Sequence, residues 1–485
     1  MIDVAPFTAN WQVALPGLLV AVTAMLVMAA DAVVPPGERD GLAVVGILGL
    51  GAAGAAALWL CLAGGNAGGF QNTLRADGYA LFFTALLCAG SLLTVLLSVD
   101  YLREQPLPAG EYHALVLLST SGMIFLAAAN DLIVLFLALE IMSVAVYVLA
   151  GLLRREVRST EAALKYFLLG AFATGFLLYG IAFFYAAAGS TRLDVIAQAV
   201  ARDGLTAFTL LGIALVLVGF GFKVALIPFH VWAPDVYEGA PTAITAFMAV
   251  GVKAAAFAAF ARVFVAGLGR VAASWTGLLW VLAALTMTVG NVTAVRQRSV
   301  KRMLAYSSIA HAGYALVGLV AGSKDGGAAL LFYLAVYSFM TLGAFAVLIA
   351  LGRRGEPNED LADWAGVGFR HPVLGLSMAV FMLSLAGVPP TAGFAGKFYL
   401  ISAAVDAGQV GLAVIVMLNS VVSVYYYLGV LVAMYMTEGE RAIVAPRARP
   451  CLVASILIAV VATLAIGVLP ARPMELARLS FASIK

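Results

Sequence analysis

The sequence predicts an all-α polytopic membrane protein of about fourteen transmembrane helices. Its 485 residues are 63% hydrophobic and only 11% charged, whereas a soluble domain carries roughly 25% charged residues. The apolar residues fall into stretches of about the 20 residues that a spanning helix needs. The 49 glycines are typical of transmembrane helices that pack closely.

The predicted spanning segments are 12–31, 41–63, 77–99, 113–129, 131–153, 163–188, 207–230, 242–267, 274–294, 303–321, 327–351, 372–403, 410–436 and 450–469. The longest polar linkers, 100–112, 352–371 and 437–449, are too short for a soluble domain and predict surface loops. No stretch is typical of a strand domain.

Two segments contain prolines that predict broken helices. Pro228 lies near the end of 207–230, and a helical proline removes one hydrogen bond and clashes with the carbonyl four residues back. Pro389 and Pro390 interrupt 372–403 among three glycines. Such breaks occur in membranes only where protein or a water-filled cavity satisfies the freed backbone groups. Paired interrupted segments in two halves of a chain indicate an inverted-repeat transporter.

Composition argues against several other classes of function. The net charge of +3 is too small to indicate nucleic-acid binding. Cys61, Cys88 and Cys451 lie in apolar segments without ligand spacing, so they predict neither a disulfide framework nor a metal site. The first basic residue is Arg39, and the first apolar segment is therefore predicted to be a retained helix rather than a signal peptide.

Basic residues predict the orientation, because cytoplasmic loops carry an excess of lysine and arginine. With the amino terminus outside, the inside loops hold fifteen basic residues and the outside loops hold nine. The inside count includes Arg353, Arg354, Arg441 and Arg447, and the outside count includes Arg262 and Lys485. The strongest inside cluster runs from Arg296 to Arg302. Both termini are thus predicted outside.

Four basic residues remain inside apolar segments: Lys165, Lys223, Lys253 and Lys397. All are lysines, although the chain has 7 lysines against 21 arginines. A lysine in a low-dielectric site can lose its proton near neutral pH, whereas arginine effectively cannot. Purely structural ion pairs would be expected to include arginine, so the pattern favours groups that titrate.

One carboxylate, Glu140, lies deep in an apolar segment. Such a carboxylate is a candidate functional group with a basic partner expected; the alternative is a neutral glutamic acid hydrogen-bonded between helices. Asp131 begins the same segment and predicts a helix N-cap. Lys165 follows Glu161 by one turn, so an ordinary i,i+4 ion pair is the alternative to a role in proton transfer. Lys253 has no local partner and is predicted to face the interior of the bundle.

His230 and His311 are candidate proton-relay residues, because histidine titrates near neutral pH. The alternative for each is a hydrogen-bonded core histidine. His230 lies seven residues after Lys223, which would be about two turns along one helix face if the helix continued past Pro228. Asp235 and Glu238 follow in the loop after the first break and predict solvated or capping groups rather than relay members.

Four runs carry a resemblance to a known family: EAALKYFLLGAF at 161–172, PFHVWAPDVYEGAPT at 228–242, KRMLAYSSIAHAGY at 301–314 and LAGVPPTAGFAGKF at 385–398. They resemble the subunit N family of bacterial respiratory complex I, the proton-pumping NADH-quinone oxidoreductase. The wider antiporter-like group includes two other complex I subunits and multisubunit cation/proton antiporters. The resemblance covers about residues 100–435 well and the first three helices weakly.

The resemblance implies two inverted five-helix repeats, helices 4–8 and 9–13, each with a broken helix. The implied division is 1–105, 106–270, 271–437 and 438–485. The residues to which the resemblance gives a role in proton transfer are Glu140, Lys165, Lys223, Lys253, Lys397, His230 and His311. Glu140 and Lys223 would pair in the first half-channel, Lys253 would connect the halves, and Lys397 would serve the second half-channel. Lys165 would modulate Glu140.

The implied function is proton translocation across a bacterial inner membrane, driven by quinone reduction in other subunits. Such a subunit carries no flavin, iron–sulfur cluster or NADH site, and this sequence agrees, since it lacks a cysteine cluster and a glycine-rich strand–turn–helix motif. The implied partners are other complex I membrane subunits and the lipid bilayer, with both termini periplasmic. Two alternatives remain: a subunit of a multisubunit sodium/proton antiporter, and a structural scaffold with vestigial charges.

Overall fold

The computed structural model describes residues 10–35, 39–105, 107–352, 358–438 and 449–484. The described chain is a bundle of membrane-length helices, which confirms the predicted fold class. Five basic residues used for the orientation, Arg353, Arg354, Arg441, Arg447 and Lys485, lie outside the described residues.

The amino-terminal part contains three long helices, α1 (Leu15–Asp31), α2 (Asp40–Leu62) and α3 (Gly78–Glu104). A short hairpin of β1 (Asn66–Gly69) and β2 (Leu74–Asp77) joins α2 to α3, with Asn66 opposite Asp77. This hairpin was not predicted, because its strands are only four residues long and one of them is rich in glycine. The predicted surface loop 100–112 is wrong at both ends, since α3 continues to Glu104 and the next helix begins at Ala109.

The middle of the chain contains α4 (Ala109–Ala128), α5 (Leu132–Ala150), α6 (Val157–Ala188), α7 (Leu193–Asp203), α8 (Ala207–Lys223), α9 (Trp232–Gly239) and α10 (Thr242–Gly267). The predicted N-cap of α5 is confirmed, because the Asp131 carboxylate accepts hydrogen bonds from the backbone of Ile133 and Val134. Within α10, Met248–Val252 and Val263–Gly267 are π-helical.

The remaining helices are α11 (Ala272–Ala294), α12 (Val300–Val320), α13 (Lys324–Leu351), α14 (Val367–Arg370), α15 (Pro372–Ala386), α16 (Ala392–Asp406), α17 (Val410–Met436), α18 (Pro450–Val468) and α19 (Ala471–Ala482). Twelve helices of the described chain are long and apolar enough to cross a membrane. The pairs α8/α9 and α15/α16 occupy the two predicted interruptions. Fourteen crossings therefore remain a prediction. Helices α10, α12 and α13 form the buried centre, and α17 and α18 lie at the periphery.

The first break begins earlier than predicted, because α8 ends at Lys223 rather than at Pro228. Ala225 adopts a left-handed backbone conformation with φ of 60°. The freed backbone groups find partners nearby: the Ile227 N–H donates to the Thr286 hydroxyl of a neighbouring helix at 3.1 Å, and the Trp232 indole donates across the break to the Phe222 carbonyl at 3.0 Å. This is the local satisfaction that a broken helix in a membrane requires.

The second break brings α16 back against the end of α15. Gly387 ends α15 with φ of 89°, and the Gly393 N–H donates to the Ser384 hydroxyl at 3.0 Å. A Cβ atom at Gly393 would lie 1.8 Å from the Ser384 carbonyl oxygen. The close contact of the two half-helices therefore depends on glycine at this position.

Replacing Gly393 by alanine is expected to destabilise the protein by about 1–3 kcal/mol, the usual cost of overpacking a core. Thermal unfolding of the purified complex measures this. Gly411→Ala is the matched control, since its nearest new contact would be 3.7 Å from the Trp280 ring. Equal stability of the two variants would show that the half-helices separate without cost.

One arginine placed in a loop by the sequence count is in fact buried in a helix. Arg262 was counted in an outside loop, but it lies inside α10 and is fully buried. Its guanidinium donates to both carboxylate oxygens of Asp77 at 2.7 and 2.8 Å and to the Ala127 carbonyl at 3.2 Å. Lysine is therefore not the only basic residue within the helices, and the arginine is the member that forms a buried structural pair.

Candidate functional site

Lys223 ends α8 and directs its side chain towards α5. Its amine donates to the Ser143 hydroxyl at 2.7 Å and to the Tyr147 hydroxyl at 3.0 Å. The amine also lies 6.0 Å from the centre of the Tyr166 ring, which stacks on Trp232 of α9. Both half-helices of the first break therefore contribute to the surroundings of this buried lysine.

The predicted contact between Glu140 and Lys223 is absent from the described residues. Lys223 binds Ser143, which lies one turn after Glu140 on α5. Glu140 is partly exposed, and its Oε1 atom is buried without a hydrogen-bond partner. The predicted contact is therefore wrong for this structure, although Lys223 binds a residue that lies one helical turn from Glu140.

Lys165 forms the ion pairs of a charged cluster, as the alternative interpretation predicted. Its amine lies 2.6 Å from Glu161 and 3.0 Å from Asp235. Asp235 also pairs with Arg302 at 3.2 Å, and Arg302 pairs with Glu238. The prediction that Asp235 and Glu238 lie in a loop is wrong, since both belong to α9. This cluster joins α6, α9 and α12.

Lys253 is buried in α10, as predicted, directly after a π-helical turn. Its amine donates to both the carbonyl oxygen and the hydroxyl of Ser308 on α12. It lies 6.0 Å from the centre of the Tyr337 ring. A π-helical turn often accompanies a functional position, and here it precedes the lysine that joins α10 to α12.

His311 is fully enclosed by tyrosines. Its Nδ1 atom lies 2.7 Å from the Tyr333 hydroxyl, and its Nε2 atom lies 3.1 Å from the Tyr427 hydroxyl. Tyr427 also bonds to Ser307. The imidazole therefore has partners on both nitrogens, which suits either a core histidine or a relay whose hydroxyl neighbours accept and donate protons.

Lys397 of α16 reaches back to the end of α15. Its amine donates to the carbonyl oxygens of Leu385 and Ala386 at 3.0 and 2.9 Å. A cation at a helix C-terminus is favoured by the helix dipole. The amine also lies 5.1 Å from the centre of the Tyr314 ring. Lys397 thus holds the two half-helices of the second break together.

Aromatic rings connect Lys253, His311 and Lys397. The His311 ring centre lies 5.0 Å from that of Tyr337, the ring beside Lys253. It lies 5.5 Å from the ring centre of Tyr314, the ring beside Lys397. The structure thus brings together three of the predicted residues in one buried cluster, whereas Lys223 contacts Ser143 and Tyr147.

His230 does not join this cluster. It lies in the turns of the first break, is partly exposed, and its Nδ1 atom has no hydrogen-bond partner within the described chain. Because α8 ends at Lys223, the predicted spacing of two helical turns between Lys223 and His230 does not hold. A relay role for His230 remains a prediction.

Several buried polar groups were not predicted. Asn291 donates to the Tyr314 hydroxyl at 2.9 Å and accepts from the Tyr426 hydroxyl at 2.8 Å. Lys301 was counted in an inside loop, but it is buried and binds the Ala240 carbonyl and Glu359. Asn291 and Tyr426 carry no charge, so a search for charged residues passes over them.

The family follows from comparison with known proteins. Residues 129–423 match the family described as NADH:quinone oxidoreductase/Mrp antiporter, TM. The NADH-quinone oxidoreductase subunit N of Trichlorobacter lovleyi is 49% identical over 438 residues, which cover 90% of this chain and 89% of that protein. This chain belongs to the NADH-quinone oxidoreductase subunit N family. The resemblance found in the four runs is thereby confirmed.

Solved structures agree with this subunit N assignment. A chain of respiratory complex I from Thermus thermophilus is 39% identical, with a TM-score of 0.81 and coverage of 95% of this chain and 98% of that chain. A chain of the Mrp complex from Dietzia sp. is 23% identical, with a TM-score of 0.85 and coverage of 98% of both chains. At that identity the Mrp chain shows a shared fold alone.

Proposed function

We propose that this chain is a proton-translocating membrane subunit of NADH-quinone oxidoreductase. Quinone reduction in other subunits would drive proton transfer through its buried basic residues, and the chain itself would perform no redox step. The observation that carries the proposal is the buried cluster of Lys253, His311 and Lys397. The amines of Lys253 and Lys397 are held by neutral oxygen atoms rather than by carboxylates. Neutral partners leave such a lysine free to change its charge.

In the proposed first step, Lys223 alternates between two partners on α5. The structure has its amine on the Ser143 hydroxyl, and Glu140 lies one turn away with an unsatisfied carboxylate oxygen. Approach of Lys223 to Glu140 favours the charged lysine, and return to Ser143 removes that stabilisation. The energetic scale is suitable: an ion pair at 4 Å contributes about 4 kcal/mol at an effective dielectric constant near 20. Moving a proton against ~150 mV requires roughly 3.5 kcal/mol.

In the proposed second step, the proton passes from Lys223 to Lys253, then through His311 to Lys397. The tyrosine hydroxyls on both nitrogens of His311 provide neighbours that donate and accept protons. Lys397 rests on the end of α15, so a change in its charge alters how tightly the two halves of the broken helix are held. The hinge positions are the breaks themselves, as in other inverted-repeat transporters.

The same proposal includes the division into inverted repeats at 106–270 and 271–437, flanked by 1–105 and 438–485. Each proposed repeat contains one interrupted pair of helices, α8/α9 or α15/α16. The proposal also places the protein in the bacterial inner membrane with both termini on the periplasmic side. The proposed partners are the neighbouring membrane subunits of the complex.

The first test is Lys223→Ala in the assembled complex. NADH-driven quinone reduction and proton translocation are measured in the same membrane vesicles, and both are expected to fall at least tenfold with assembly intact. Lys324→Ala, at an exposed helix start, is the matched control. Normal activity of the Lys223 variant would make the lysine a structural charge. Translocation driven by an ion gradient without NADH would favour the antiporter alternative.

Replacing Glu140 by glutamine tests the alternating partner. The amide preserves shape but removes the charge that would attract Lys223, so proton translocation is expected to fall several-fold while the complex remains assembled. Glu161→Gln, which removes an exposed partner of Lys165, is the comparison variant and is expected to have a smaller effect. Undiminished pumping by the Glu140 variant would refute the proposed exchange of partners.

A further inference from the structure

A groove opens on the outer face of the bundle where α17 passes the turn between α11 and α12. Its cavity volume is about 420 Å³, within the range of small-molecule sites. Tyr425, Leu428, Gly429 and Val432 of α17 form one wall. These residues span roughly 10 Å along the helix at 1.5 Å per residue. Tyr425 is 70% exposed and Val432 is 46% exposed, so the groove faces outward from the chain.

The opening of the groove is basic. Arg298 and Gln297 line it, and Arg296 lies in the same turn. Both arginines are exposed, and neither guanidinium takes part in the ion pairs or side-chain hydrogen bonds found among the described residues. By contrast, Arg302 a few residues later is engaged by Glu238 and Asp235. The two arginines are therefore available to an external anion.

The acidic groups on the segment that pairs with this turn are already engaged, and Glu359 forms an ion pair with Lys301 at 3.2 Å. Asp360 bridges to Ser299 through the backbone, and its side chain caps the short helical turn Leu361–Trp364. The Asp363 carboxylate accepts a hydrogen bond from the Asp360 N–H in return. The two carboxylates accept hydrogen bonds from each other's backbone N–H groups. Within the described part of the chain, neither forms an ion pair with Arg296 or Arg298.

We propose that this groove binds an anionic phospholipid, with one acyl chain along α17 and the phosphate on Arg296 and Arg298. The groove matches the two parts of a phospholipid. Its apolar wall runs along the membrane helix α17 and suits an acyl chain, and the two arginines at the turn between α11 and α12 suit a phosphate. Basic sites beside transmembrane helices bind anionic headgroups in this way. A non-helical peptide segment of a partner would bring unpaired backbone groups into the apolar part of the groove, whereas an acyl chain has none. A partner helix satisfies its own backbone groups, and its presence here is an outcome that the test distinguishes.

Hydrogen bonds also connect one residue of the groove to the polar interior of the bundle. Tyr426 lines the groove, and its hydroxyl donates to Asn291, which in turn donates to Tyr314 beside Lys397. An occupied groove would therefore contact a residue two hydrogen bonds from the ring that faces Lys397. The lipid site itself does not depend on the proposed function.

The test uses the whole complex in phosphatidylcholine vesicles with trace photoreactive lipid. One probe is phosphatidylglycerol and the other phosphatidylcholine, each with the same diazirine acyl chain, and labelled peptides are mapped by mass spectrometry. At about 1 kcal/mol per arginine and 1.4 kcal/mol per factor of ten, the α17 peptides are expected to label about 25-fold more with the anionic probe. Equal labelling by both probes, or cross-linking of this segment to another subunit, would overturn the proposal.

Two variants distinguish binding of the lipid headgroup from binding of the acyl chain. Arg296→Gln with Arg298→Gln is expected to abolish the preference for the anionic probe, and Arg270→Gln with Arg472→Gln, at other exposed arginines, is expected to preserve it.

Gly429→Leu fills the groove, since open space surrounds that Cβ position, and is expected to remove labelling by both probes. Gly175→Leu, also in open space, is its control. Persistent labelling of the Gly429 variant would show that the lipid does not bind in this groove. If a variant fails to assemble, the comparison of the two probes on the unmodified complex still tests whether the groove prefers an anionic lipid.

Discussion

Replacing Lys253 by methionine is expected to reduce NADH-driven proton translocation by roughly a hundredfold, the lower range of what a positioned proton-transfer group contributes. Methionine fills a similar volume and adapts to irregular packing, so the buried site stays filled while the titratable amine is lost. Lys253 holds Ser308 and faces the ring beside His311. Removing it would interrupt transfer between the two halves of the chain.

The measurement is proton uptake into vesicles during NADH oxidation, normalised to the amount of assembled complex. Lys324→Met is the matched control, because it makes the same chemical change at an exposed position. Ser308→Ala keeps the lysine but removes its hydroxyl partner, and its effect is expected to be intermediate. Full translocation in an assembled Lys253→Met complex would show that the buried lysines are structural.

Replacing Arg262 by methionine is expected to destabilise the assembled protein by about 3–5 kcal/mol, the cost of leaving one member of a buried ion pair without its partner. Arg262 and Asp77 are both fully buried, and the guanidinium binds both carboxylate oxygens. The pair ties the start of α3 to α10. Thermal unfolding of the purified complex and the yield of assembled complex measure the loss.

A double variant tests whether the loss comes from the unpaired charge. Asp77→Asn keeps an oxygen for the Ala80 N–H that it caps but removes the charge, so Asp77→Asn with Arg262→Met is expected to be more stable than Arg262→Met alone. Interaction energies between residues in contact are about 0.5–3 kcal/mol. Arg270→Met is the surface control. Translocation per assembled complex is expected to stay normal, which distinguishes this pair from Lys253.

Arg262 and the buried lysines show two different surroundings for a basic residue inside the helices. Because lysine can lose its proton in a low-dielectric site and arginine effectively cannot, a structural pair is expected to use arginine and a transport path lysine. The structural arginine exists, but its position near the end of a long apolar helix made it look like part of a loop. The buried Arg262–Asp77 pair agrees with the structural half of this expectation, whereas the expectation that arginine is absent from the helices is wrong. That the buried lysines titrate stays a prediction.

The sequence by itself determined the fold class, the presence of both interruptions, the N-cap at Asp131 and the burial of Lys223, Lys253 and Lys397. These features depend on local composition: apolar length, proline and a short polar side chain before a helix. The bounds of α10 and α17 follow from apolar length in the same way.

Only the tertiary structure decided which groups meet. Lys223 contacts a hydroxyl 80 residues away, Lys165 contacts a carboxylate 70 residues away, and Arg262 contacts one 185 residues away. Helical periodicity relates residues within a few turns, but it does not specify the rotation or the crossing of one helix against another. Pairings between helices arise from packing of the whole bundle, so the sequence identified the charged groups and the packing chose their partners.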